Sequence, residues 1–238
     1  MTPTVNPVLT AQDESAIGDK LYQGVMENPT LFPCLSRTDY PSLYQYLDAA
    51  LSMVEVQTTI RDDYDWEVLI LQDDENENIY SVPGGKIFIT TGMMKFIEGE
   101  HQLFALLAHE AYYIDRRNQN GSVQLSYVMQ RLKDEIASTQ GTGVFRNFVN
   151  GTNDDLGIEI QDLFQGDFKY DENVVYAADD YALNMICENY LYSARGLKEI
   201  LLLEENNPTP ATNFVWLNNR PPNYLVNPVT GTSVMDRI

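Results

Sequence analysis

The segment LFALLAHEAYYIDRRNQ, Leu103 to Gln119, decides how this chain is read. An apolar run leads into His109-Glu110, and the surrounding residues, Glu98 to Asn118, predict a strong helix. A His-Glu pair in a helix is, taken alone, most simply a structural histidine whose polar atoms are satisfied. What lies around it changes that reading.

Upstream, WEVLILQ (Trp66 to Gln72) is dense in apolar and β-branched residues and predicts a strand. NIYSVPGGKIFITTG (Asn78 to Gly92) predicts a strand, a Pro-Gly-Gly turn and a second strand. Together they predict a small antiparallel sheet. Before it, Thr10 or Asp13 can cap a first helix. Leu43, Tyr46, Leu47, Ala50, Leu51 and Val54 follow helical spacing behind Pro41, which predicts a second. Downstream, VQLSYVMQRLKDEIAST, the latter part of RNFVNGTNDDLGIEIQDLFQGDF, DENVVYAADDYALNMICENYLYSA and GLKEILLLEEN predict further helices. The tail, 206–238, is rich in Asn and Pro and reads as irregular. The class is α+β, mainly helical, in one domain spanning 1–238.

Composition narrows the function classes. Thirty-five acidic and 15 basic residues give a formal charge of −20, which repels nucleic acid and anionic lipid. No apolar run reaches the ~18 residues needed to cross a bilayer. The acidic stretches QDDENEN and DFKYDEN lack the ligand spacing of an EF-hand loop. The two cysteines, Cys34 and Cys187, form no CxxC pair; they are one disulfide in an oxidising compartment or two buried thiols. NGS at Asn120 and NGT at Asn150 fit the glycosylation sequon, usable only in a eukaryotic secretory setting. There is no Walker or dinucleotide glycine pattern, and no spacing that establishes a Ser-His-Asp or paired-carboxylate site.

In HExxH, histidines at i and i+4 share one helix face and bind one zinc, and the intervening glutamate is the general base for metal-bound water. Here the motif reads HEAYY: His109 and Glu110 stand, Ala111 and Tyr112 fill the spacer, and Tyr113 takes the second ligand position. His101 lies eight residues before His109, about 12 Å along the axis, and is no substitute.

The run NIYSVPGGKIFITTGMM followed by LLAHEAYYIDRR resembles the zinc metallopeptidase family that includes HtpX, the CAAX prenyl proteases and the periplasmic BepA-like enzymes. The likeness extends over about 6–205. It implies a zincin-like (gluzincin) domain. Family members carry a third ligand, a glutamate, in a downstream YSRxxExEAD element. The matching stretch here is YDENVVYAAD, with Tyr170, Ala178 and Asp179 retained and Val175 at the ligand's place. NNRPPN, with Arg220 before Pro221, stands near the family's late His-Pro element, without the histidine.

Two of the three zinc ligands that the resemblance implies are thus replaced. Valine ligates nothing, and tyrosine ligates only as phenolate, with an unperturbed pKa near ~10. The expectation is a catalytically inactive, pseudopeptidase domain that binds no zinc and serves as a protein-binding, scaffold or assembly subunit. Its partner is a protein or peptide, not nucleic acid. His109 and Glu110 are then vestigial, with Tyr112, Tyr113, Val175, Tyr176 and Asp179 filling the former site. The alternative is an active metalloendopeptidase whose rebuilt site uses His109 and Glu110 with Tyr113 and a carboxylate such as Asp179 or Glu172, and holds zinc. Lys86, Ile87, Phe88, Ile89 and Thr90 are read either as a strand that receives an extended peptide by strand addition or as an ordinary sheet strand. The resemblance implies a periplasmic or envelope location with a leader removed; the composition suits the cytoplasm as well.

Overall fold

The computed structural model describes residues 9–59, 62–118, 121–123, 170, 172–188, 193 and 195–206. The helices expected over 123–139 and 146–168 lie outside them apart from residue 123, as does the tail apart from residue 206; of the sequons, Asn120 and 150–152 lie outside them.

Helix α1 (Ala11–Glu27) starts where its capping chemistry dictates. The Thr10 hydroxyl accepts from the Asp13 amide at 3.2 Å, and the Asp13 carboxylate accepts from the Thr10 amide at 3.0 Å. Helix α2 (Pro41–Glu55) opens on Pro41 and buries Tyr44, Leu47, Ala50, Leu51 and Val54. Tyr46, expected on that stripe, is exposed.

Strands β1 (Glu67–Leu71), β2 (Ile79–Val82) and β3 (Lys86–Thr90) form one sheet in the order β1-β3-β2. The α+β class stands, but the sheet is mixed, not antiparallel. β2 and β3 are an antiparallel hairpin, and β1 pairs with β3 in parallel. The hairpin turns at Pro83, with Gly84 and Gly85 at φ of 79° and 83°, a region open to glycine at little cost. It fills one edge of β3, and β1 takes the other. Period-2 patterning cannot foretell this choice, because β3 is buried at every residue.

The same topology corrects the strand-addition reading. β3 has neighbours on both sides, so Lys86 to Thr90 have no edge left for a peptide. They hold structure instead. Lys86 Nζ donates to the Asp65 carbonyl and to Glu67, both at 2.7 Å, and lies 3.1 Å from Asp19 on α1. Burial works against its charge, yet Glu67 and Asp19 hold its pKa above the usual lysine value. The Thr90 hydroxyl accepts from the Met93 amide and so caps α3 (Thr91–Phe96).

Helix α4 (Glu100–Asp115) carries the deciding segment and runs through the centre of the domain. Leu103 to Ala108 are all fully buried, as expected of a helix apolar on every side. It packs on α2, β2, α5 (Glu172–Glu188) and α6 (Arg195–Asn206). His101 pairs with Glu199, tying α6 to the start of α4. Beyond α4, β4 (Arg117–Asn118) and β5 (Gly121–Ser122) make a two-stranded ladder. The Glu14 carboxylate, fully buried, accepts from Tyr64 Oη at 2.6 Å and from the Ser122 amide at 3.1 Å, joining α1 to both ends of the fold.

Cys34 and Cys187 are free thiols. Cys34 bridges Leu71 at the outer edge of β1, and burial pushes its thiol up to about 11. Cys187 is exposed on α5. Among the described residues no helix is long and apolar enough to cross a membrane.

Candidate active site

α4 and α5 lie side by side and bring His109, Glu110 and Asp179 together in the interior. All three are buried, Asp179 completely. His109 Nδ1 is 3.4 Å from Glu110 Oε1, and Nε2 is 3.4 Å from Asp179 Oδ1. The imidazole therefore has a carboxylate on each side. The other Glu110 oxygen accepts from Ser81 Oγ at 2.7 Å, so β2 reaches the site directly. Ser81 was not foreseen. Its only sequence signal is its place in a strand two residues before the Pro-Gly-Gly turn.

Tyr113, one helical turn past His109, meets the imidazole edge-on, with ring centroids 5.3 Å apart at 83°. It also stacks in parallel on Tyr170 at 4.2 Å and 5°. Aromatic packing thus stands at the position of the second histidine. Val175 and Tyr176 are buried on α5, as expected of residues filling the interior there. Tyr112 departs from the expected grouping. It is half-buried, touches Tyr113 and Tyr181 edge-on, and lines a cleft with Asp115, Arg116 and Tyr181. Of the rebuilt ligand sets, Asp179 reaches His109.

A catalytic zinc needs three protein ligands and an open position. One imidazole and one carboxylate meet here at a ligand-like separation. Glu110 is engaged by Ser81, Tyr113 commits its ring to Tyr170, and Val175 has no donor atom. Among the described residues no group of three or more His, Cys, Asp or Glu is arranged to hold a metal ion. The described donors do not make up the set.

That cleft is held together by Asp115, at the end of α4. Asp115 Oδ1 accepts from the Thr59 amide at 2.7 Å and from the Thr59 hydroxyl at 2.6 Å, and Oδ2 accepts from Tyr181 Oη at 2.8 Å. Burial, and then the Asp115 charge, push the Tyr181 hydroxyl far above the usual tyrosine range. Burial and Glu67 raise Tyr22 to about 12. Both groups keep their proton in the fold at a pH where the unfolded chain loses it, so stability is intact below about pH 10 and falls above it. We expect the urea midpoint to decline from about pH 10 upward, and less steeply in Tyr22→Phe and Tyr181→Phe. An unchanged alkaline slope in both variants contradicts the assignment.

A central helix bearing His-Glu, backed by a small mixed sheet and crossed by a second helix that supplies an aspartate, defines a metallopeptidase-like domain. The chain belongs to peptidase family M48: the family's model matches residues 42–224. No curated protein matches the chain.

Proposed function

We propose that this domain has kept the peptidase scaffold, lost its metal chemistry, and acts as a protein-binding or assembly subunit. One observation carries the reading: the place of the second zinc-binding histidine is held by Tyr113, stacked on Tyr170. The valine at the third ligand place agrees with it. His109, Glu110, Ser81 and Asp179 then form a buried polar cluster, a structural use of former catalytic groups. The partner is a protein or peptide, and the same reading expects a location in the cell envelope.

A second reading has its own observation. His109 Nε2 and Asp179 Oδ1 are 3.4 Å apart, long for a hydrogen bond and close to the spacing of two ligands on one tetrahedral zinc, roughly 3.3 Å for bonds of ~2.0 Å. An active metalloendopeptidase would need a third donor and would keep Glu110 as base.

Elemental analysis separates the two. For protein purified without chelators or metal columns, we expect below about a tenth of an equivalent of transition metal. We also expect no cleavage of casein or unfolded outer-membrane protein. Near one equivalent, lost on His109→Ala, with chelator-sensitive cleavage abolished by Glu110→Gln, rejects the pseudopeptidase reading.

A further inference from the structure

We draw no further inference here: the strongest candidate, the acidic loop between β1 and β2 in which one Glu77 carboxylate oxygen is buried without a hydrogen-bond partner, carries no cation site, because Glu77 as a whole is only partly buried, its neighbours Asp73 and Asp74 are engaged by Asn76, Thr91 and Lys95, and among the described residues no group of three or more His, Cys, Asp or Glu is arranged to hold a metal ion.

Discussion

Gly18→Ala is expected to lower the unfolding free energy by about 3 kcal/mol, in spite of alanine's advantage of roughly 1 kcal/mol in a helix interior. Gly18 sits inside α1, where the helix crosses the Pro-Gly-Gly turn. A methyl group built there meets the Pro83 carbonyl oxygen at 1.8 Å and its carbon at 2.8 Å. Both are backbone atoms, so no rotamer change relieves the overlap. The turn lies close against α1 at Gly84 too, where an added Cβ would meet the Ser15 Cα at 2.7 Å. Either α1 lifts from the hairpin, loosening the Asp19 contact to Lys86 and the Glu14 contacts, or the hairpin shifts and carries Ser81 with it. Urea denaturation measures the loss. Gln23→Ala, at an exposed position of the same helix, serves as the control and is expected to stay within about 0.5 kcal/mol of the parent. Equal stability of Gly18→Ala and the parent would show that α1 does not rest on this turn.

Asp115→Ala is the second large effect, about 2–3 kcal/mol. One carboxylate there accepts three hydrogen bonds, two from Thr59 and one from Tyr181. Removing it strands those donors in a partly buried setting, and stranded partners cost more than the bonds themselves returned. Asp115→Asn retains one acceptor oxygen and is expected to recover about half of the loss, whereas Tyr181→Phe alone costs about 1 kcal/mol. The double variant Asp115→Ala/Tyr181→Phe should fall short of the sum, because the two share a bond. Full additivity would dissolve the proposed clamp between the turn after α2, α4 and α5.

The sequence and the structure agree where local physics governs. Thr10 caps α1 because its hydroxyl and the Asp13 carboxylate are three residues apart, a relation visible in any listing of the chain. Pro41 opens α2 for a similar reason. The Pro-Gly-Gly turn and the strong helix around His109 are legible too. Long-range pairing was not legible. The choice of β3 as the central strand depends on which edge β1 finds, and its five buried residues look alike in either arrangement. Ser81 reaches Glu110 across 29 positions and Tyr181 reaches Asp115 across 66, and no spacing rule links them. Asp179 stands four residues, one helical turn, past Val175; that it faces the imidazole follows from the packing of α5 on α4.

The burial of α4 on every side has a consequence during synthesis. Its shelter comes from both directions: from the sheet and α2, made earlier, and from α5 and α6, made later. Glu14 waits 108 positions for Ser122, and His101 waits 98 for Glu199. At translation rates of roughly 5–20 residues per second, the apolar flank that α6 covers stays bare for roughly 5–20 s after α4 leaves the ribosome. For that interval the nascent chain displays apolar surface that the finished domain buries.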